Sequence, residues 1–352
     1  MNGQAPNGIG STGKVAKGEV SGQAANDEIS GQSSSGVRSR DKALNRGLSG
    51  LYLGLDIGGT GIKGGLVDRN GRLLTHRSVR TPVEEGRSGI MRATIGLAAS
   101  LLAEAEGRVS GIGVGSAGMI DPETGRVLYA TDNLPGWAGH PLADSLSDAT
   151  GLPVRANNDV NAAALGEAWV GAGQQIASFA LVALGTGVGG AFVSAGKVMN
   201  GFNGAGAEFG HLLLKQDGIP CNCGQKGCFE QYASGTALNR MARSIHPEWN
   251  SRILLQRYGE REPRAVEAVN GFVNDLAAGL ITVYHVLGPE VILLGGGLLD
   301  SADLWWERLE EALRRMTPKP VVIRKAHLGN QAGIIGAASL LRGVSVCRGG
   351  AL

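Results

Sequence analysis

Residues 54–67 read GLDIGGTGIKGGLV, and residues 181–193 read LVALGTGVGGAFV. Each is an aliphatic run, a turn built around Gly-Thr-Gly, and a second aliphatic run. Aliphatic and β-branched residues on both sides of a glycine turn predict a β-hairpin. A single glycine hairpin specifies little beyond a tight bend. Two of them, each opening a series of strand and helix signals, predict two related α/β halves facing each other across a cleft.

Working outward, LYLGLDI (51–57), IKGGLV (62–67) and RLLTHRSV (72–79) read as three strands, with DRNG at 68–71 as a turn. A helical pattern follows at 88–106, then the strand GIGVGSAG at 111–118, a helix at 140–150, and PVRANND leading into the helix NAAALGEAWV. The second hairpin starts the other half. Helices are expected near 234–245, 264–287, 301–316 and 332–342, with strands at VILLGGG (291–297) and VVIRKA (321–326).

Composition bounds the function. The chain has 352 residues, 43% of them hydrophobic, with 58 glycines and a net charge of +2. That length allows two domains and a large core. Near-neutral charge gives no electrostatic case for nucleic acid or an acidic membrane surface, so neither is expected as a partner. No apolar run reaches the roughly 18 residues of a membrane span. Residues 1–49 hold no aromatic residue and are rich in Gly, Ser, Asn, Gln, Lys and Ala. They are expected to be a disordered tail, because such a segment cannot bury enough apolar surface to offset its ordering entropy. The tail has no apolar core for a signal peptide, and its acidic residues Glu19, Asp27 and Glu28 argue against a transit peptide.

The glycine turns suit phosphate. Glycine lets backbone N–H groups approach phosphate oxygens, and successive N–H groups form an anion-binding concavity. A threonine hydroxyl adds a donor, and an acidic residue at the end of the preceding strand can hold Mg²⁺ through water. DIGGTGIK supplies Asp56, Gly58, Gly59, Thr60 and Lys63, and LGTGVGG supplies Gly185, Thr186 and Gly187. A third strand ends in Gly295, Gly296 and Gly297, which suits close approach of a base or ribose. None of these is a Walker P-loop, because no GKS or GKT follows a four-residue spacer.

Residues 211–231, HLLLKQDGIPCNCGQKGCFEQ, place His211, Cys221, Cys223 and Cys228 in the spacing H-x9-C-x-C-x4-C. Four cysteines are too few for a disulfide scaffold, so a reducing compartment is expected. Three thiolates and an imidazole suit tetrahedral Zn²⁺, and four protein ligands leave no open position for catalysis. The spacing is not that of a nucleic-acid finger, and the C-x-x-C of a redox centre is absent. A structural zinc loop is therefore expected, with Gly218, Pro220, Gly224 and Gly227 letting a short chain wrap the metal.

The succession DIGGT, NNDVNAAALGE, LGTGVGG, GAEFGH, CNCGQKGCFE and LLGGG, over residues 51–342, resembles the ROK family of sugar kinases within the actin and hexokinase-like superfamily. The resemblance implies an α/β fold of two actin/hexokinase-like (ribonuclease H-like) domains around a central cleft. With it the domains are expected as a smaller N-terminal one of 50–163 plus 331–345, and a larger one of 164–330 carrying the zinc loop 211–228. It implies ATP-dependent phosphorylation of a hexose at its 6-hydroxyl, most readily glucose, in a cytoplasmic homodimer or homotetramer. N-acetylmannosamine, N-acetylglucosamine or fructose is the alternative acceptor, and polyphosphate the alternative donor. Sugar-responsive DNA-binding regulators of the family carry a winged helix-turn-helix ahead of the kinase-like part; residues 1–50 lack the apolar periodicity for one.

An Asp at a strand-to-helix junction is commonly just an N-cap. The resemblance instead implies that Asp159 is the general base that takes the sugar hydroxyl's proton, with Asn158 holding neighbouring hydroxyls. It further implies sugar contacts from Asn133, Glu208, His211 and Glu230. His211 is expected to serve both zinc and sugar, through different ring nitrogens.

Overall fold

The computed structural model describes residues 50–342. The expected tail of 1–49 and positions 343–345 of the first domain's expected return lie outside the described residues.

Both hairpins form, and each opens a five-stranded sheet. In the first, β1 (Leu51–Ile57), β2 (Gly61–Val67) and β3 (Leu73–Arg80) make an antiparallel meander, while β4 (Val109–Ser116) and β7 (Val154–Asn158) add parallel strands beside β1, giving the order β3-β2-β1-β4-β7. The pair β5 (Met119–Ile120) and β6 (Val127–Tyr129) forms a separate short ribbon. In the second sheet, β8 (Ser178–Leu184), β9 (Val188–Ser194) and β10 (Lys197–Val198) repeat the meander. There β11 (Val291–Gly295) and β12 (Ile323–Lys325) repeat the parallel additions, in the order β10-β9-β8-β11-β12. Strand order and direction match between the sheets, so the internal repeat seen in two glycine turns extends to whole sheets.

Each sheet has its own core. Leu53, Leu55, Ile57, Ile112, Val114 and Trp137 are buried with the helix α1 (Gly86–Glu104) in the first, where the Trp137 indole N–H donates to Ser116 Oγ at 3.0 Å. Val182, Leu184, Ile292, Leu294, Phe229, Phe272 and Trp305 are buried in the second. All five residues of β11 are buried, as expected for a parallel strand covered on both faces. Helix α2 (Leu142–Thr150) precedes β7, and α3 (Asp159–Val170) follows it. The second half holds α4 (Glu230–Ala233), α5 (Gly235–Ile245), α6 (Ser251–Gly259), α7 (Pro263–Leu287) and α8 (Trp306–Met316).

Helix α7 shows why these boundaries form. Pro263 occupies its first turn, the Glu262 carboxylate caps the Ala265 N–H, and Gly288 ends it in a left-handed conformation with φ 58°. Its buried Val269, Phe272, Val273, Leu276, Leu280 and Val283 recur at helical spacing. Among the described residues it is the one helix long and apolar enough to cross a membrane by length and composition, and this buried stripe accounts for that as a core helix.

Two expectations shift. The helix expected at 301–316 is a 3₁₀ segment, Gly297–Leu304, followed by α8, with Trp305 between them turning its ring into the core. Helix α6 was not foreseen, because SRILLQRYG carries only the two buried leucines Leu254 and Leu255.

The last helix, α9 (Ala332–Ser339), lies against the first sheet and α3 at backbone distance. A β-carbon on Gly113 would stand 1.8 Å from the Ala337 carbonyl oxygen, and one on Gly54 2.0 Å from that of Ile334. Gly113→Ala is therefore expected to destabilise by about 1–3 kcal/mol or more, since neither backbone can yield cheaply. Gly96→Ala, with open space around a helical glycine, should instead stabilise by up to about 1 kcal/mol. Thermal unfolding of the two variants beside the parent checks both signs.

Candidate active site

Strand β7 ends in Asn157-Asn158 and α3 begins at Asp159. Asn158, not Asp159, is the N-cap: its Oδ1 accepts from the N–H groups of Val160 at 2.9 Å and Asn161 at 3.1 Å. Asn158 Nδ2 donates to the Gly118 carbonyl at 3.0 Å, so its side chain is largely engaged with backbone. Behind it, Asn157 Nδ2 donates to Asn200 Oδ1 at 2.9 Å and Asn161 Nδ2 to Asn157 Oδ1 at 3.1 Å. These amides tie the start of α3 to the segment after β10 in the other half.

Capping by Asn158 leaves Asp159 at the first helical position. Its surface reaches the cleft, while protein crowds it on nearly every side. Burial first, and then the charge of Asp56, raise its pKa from 3.8 to about 6; backbone hydrogen bonds pull the other way and lose. A carboxylate tuned upward in a cleft is suited to proton transfer near neutral pH.

Asp159 lines a cavity of about 390 Å³ together with Asp56, Lys63, Gly295 and Gly296. Asp56 and Lys63 are register partners across the β1–β2 hairpin, and Lys63 Nζ lies 3.7 Å from Asp56 Oδ2. Burial raises the Asp56 pKa despite that lysine. Gly333 in the first turn of α9 presses on the same carboxylate: a β-carbon there would be 2.6 Å from Asp56 Oδ2. The cavity also draws on Lys325, His327 and Asn330, which the sequence reading did not select. Lys325 ends β12 and the other two follow it, at the carboxyl end of the strand where ligands of open α/β sheets gather, and that position was the available signal.

The two phosphate turns are built differently. The first closes through Gly58 N–H to the Gly61 carbonyl at 3.1 Å, and Thr81 Oγ1 donates to the Gly58 carbonyl at 2.6 Å. The exposed Asn133 lies beside it, its backbone oxygen 3.2 Å from where a Gly59 β-carbon would sit. Thr60 is exposed at the turn's tip. The second turn closes through Gly185 N–H to the Gly187 carbonyl at 2.9 Å. Thr236 Oγ1 donates to the Thr186 carbonyl at 2.8 Å, and the Val188 N–H donates to Glu230 Oε2 at 2.9 Å. Glu230 thus joins the cysteine loop to the second glycine turn. Gly296 and Gly297 are exposed beyond the end of β11.

Glu208 precedes and His211 ends one short 3₁₀ turn, Phe209–His211. Glu208 is exposed on one side, but protein on its other sides raises its pKa; His211 opposes this and Glu230 adds to it. Glu208 also contributes to the rise at Asp159. The expected sugar-side carboxylates therefore sense one another and the candidate base.

The ligand atoms of His211, Cys221, Cys223 and Cys228 all lie within 4.8 Å of one another. Cys221 Sγ is 3.7 Å from His211 Nδ1, and Cys223 Sγ is 3.6 Å from Cys228 Sγ. Zn–S bonds of about 2.3 Å at tetrahedral angles put sulfurs about 3.7–3.8 Å apart, so the donor set fits zinc. The three thiols are free. Burial and the neighbouring sulfurs hold Cys228 well above the ordinary thiol range, which a cation among them would reverse. Gly224 and Gly227 have φ of 91° and 81°, and a β-carbon on Gly227 would stand 1.7 Å from the Lys215 carbonyl oxygen. Both turns of the loop need glycine.

A family model described as "ROK family" matches residues 52–344. The glucokinase of Thermotoga maritima is 33% identical over 312 residues, covering 82% of this chain and 96% of that one. The N-acetyl-D-glucosamine kinase of Yersinia pseudotuberculosis is also 33% identical, over 307 residues, covering 82% and 98%. The crystal structure of a ROK family glucokinase from Streptomyces griseus, in complex with glucose and AMPPNP, superposes with a TM-score of 0.72 at 35% identity, covering 83% and 99%.

Proposed function

Because the chain belongs to the ROK family and is a sugar kinase, we propose that it transfers the γ-phosphoryl group of MgATP to the 6-hydroxyl of a hexose, with glucose preferred. The observation that carries this reading is the single cavity in which Asp159, raised to about 6, meets the Asp56–Lys63 pair and the glycine end of β11. ATP is favoured as donor by the AMPPNP held by the Streptomyces griseus glucokinase.

In this reading Asp159 accepts the proton of the 6-hydroxyl as its oxygen attacks the γ-phosphorus in line. Positioning and charge stabilisation do most of the rest. Glu208, His211 and Glu230 accept or donate to ring hydroxyls, with Asn133 and Asn158 beside them. Lys63 and the N–H groups of Gly59, Thr60, Thr186 and Gly187 face the phosphates, while Gly58 and Gly185 close the two turns through their own N–H groups, and Gly295–Gly297 receive the nucleoside. Asp56 is the residue that would hold Mg²⁺ through water, the ion neutralising phosphate charge. Zinc on His211, Cys221, Cys223 and Cys228 would close the loop's coordination and take no part in transfer.

An N-acetylglucosamine acceptor is the second reading, supported by the equal identity to the Yersinia kinase. A coupled ADP-release assay decides between them, run with glucose, fructose, N-acetylglucosamine and N-acetylmannosamine, with ATP and with polyphosphate. The highest kcat/KM is expected for glucose with ATP. A tenfold preference for an acylamino sugar would replace glucose, and no sugar-dependent ADP release would overturn the reading.

A further inference from the structure

Glu167 is a fully buried carboxylate that the chemistry above does not use. It lies on α3, one helical turn from the point where the chain leaves for the second sheet. Its Oε2 accepts from Ala172 N–H at 2.7 Å, on that outgoing crossing. Its Oε1 accepts from His327 N–H at 2.9 Å and Leu328 N–H at 2.7 Å, on the crossing that returns from β12 to α9. Its main-chain carbonyl takes two more, from Gly171 at 3.1 Å and Gly173 at 3.0 Å. One residue thereby accepts five backbone N–H groups, drawn from both passages between the halves.

We propose that Glu167 is a positioning residue that pins both interlobe crossings together, holding the helix that bears Asp159 in register with the 326–333 wall of the cavity. The fixed elements around it are close-packed. A β-carbon on Gly336 would stand 1.7 Å from the Ala162 carbonyl oxygen, so α3 and α9 move as one body. Relative motion of the halves then falls on residues 171–177 and 326–331, and Glu167 ties the two segments to each other. Both oxygens are needed. A glutamine has one acceptor oxygen and an NH₂ group, which sets donor against donor on one crossing and so pushes the shared side chain off the other as well. Gly171 sits where a β-carbon would be 2.1 Å from Oε2 and 2.8 Å from the Glu167 α-carbon, so Gly171→Ala displaces the carboxylate, and with it the end of α3, while Glu167 stays a carboxylate.

The test uses the full chain with Glu167→Gln and, independently, Gly171→Ala. In native-state hydrogen exchange, the amides of Ala172, His327 and Leu328 are expected to lose protection together, by about tenfold or more, while Leu181 and Leu293 in the central strands keep theirs. Turnover is expected to fall about 10–100-fold with the sugar KM changed less than about threefold, as for a misalignment of the cavity wall that leaves Glu208, His211 and Glu230 in place. Loss of protection on one crossing alone, or turnover and protection unchanged in the folded variants, would overturn the proposal. If Glu167→Gln fails to accumulate, Gly171→Ala decides by the same readouts. The kinetic arm rests on the sugar-kinase reading, whereas the exchange arm does not. A wild-type protein inert toward every sugar would count against that reading alone and leave the exchange pattern to judge Glu167.

Discussion

Asp159→Asn is expected to lower turnover by roughly 10²–10⁴-fold while sugar binding stays measurable, because the amide keeps the side chain's shape and loses its capacity to take a proton. The same substitution should make the protein more stable at neutral pH. The folded-state pKa of about 6 lies above the 3.8 of the unstructured group, so the native state binds this proton more tightly than the unfolded chain. The stability that follows is complete below pH 3.8 and is lost as pH rises through about 6. At pH 7.5 the ionised side chain costs on the order of 3 kcal/mol, part of it from the neighbouring Asp56. Asparagine relieves that cost, so the variant should melt several degrees higher at pH 7.5 and show no such gain at pH 3.5. Activity runs the other way. Wild-type kcat/KM should fall as pH drops through about 6, because the protonated carboxyl no longer serves as a base. A variant with near-normal turnover would remove Asp159 from the chemistry.

Cys221→Ser carries the other large effect. Zinc in small structural sites is worth roughly 10–16 kcal/mol, as much as the whole stability of many domains. The loop it would hold carries Glu208 and His211 at one end and leads into Glu230 at the other, and Glu230 is bonded to the second glycine turn. The variant is expected to lose stoichiometric zinc and either fail to accumulate folded or raise its sugar KM at least about tenfold. Cys223→Ser, at the partly exposed corner of the cluster, gives a second reading with less disturbance of the core. Zinc-free protein with unchanged sugar affinity would contradict the coupling of metal to sugar pocket.

What could be read in the sequence, and what could not, follows from the range of the interactions. Gly-Thr-Gly hairpins are local, so the strands on either side of Thr60 and Thr186 were legible, and the matched sheets followed from their repetition. The cysteine loop was legible because its four donors fall within eighteen positions, from His211 to Cys228. The capping at α3 was read less well. Asn158 and Asp159 are adjacent cap formers, and only the fold shows that Asn158 caps while Asp159 faces the cleft. Glu167 was beyond reach as a tie between crossings, since its partners His327 and Leu328 lie 160 and 161 residues away. Lys325, His327 and Asn330 were missed for a related reason: exposed polar residues at and just beyond a strand's end have no pattern until the opposite wall of the cavity is in place.

The most direct test of the central claim is the position of the phosphate in the product. Wild-type protein with MgATP and ¹³C-labelled glucose, followed by ¹³C and ³¹P NMR beside Asp159→Asn, should accumulate phosphate on the 6-oxygen with ADP in equal amount. The variant should form almost none in the same time. Phosphate on another hydroxyl, or equal product from both proteins, would contradict the account.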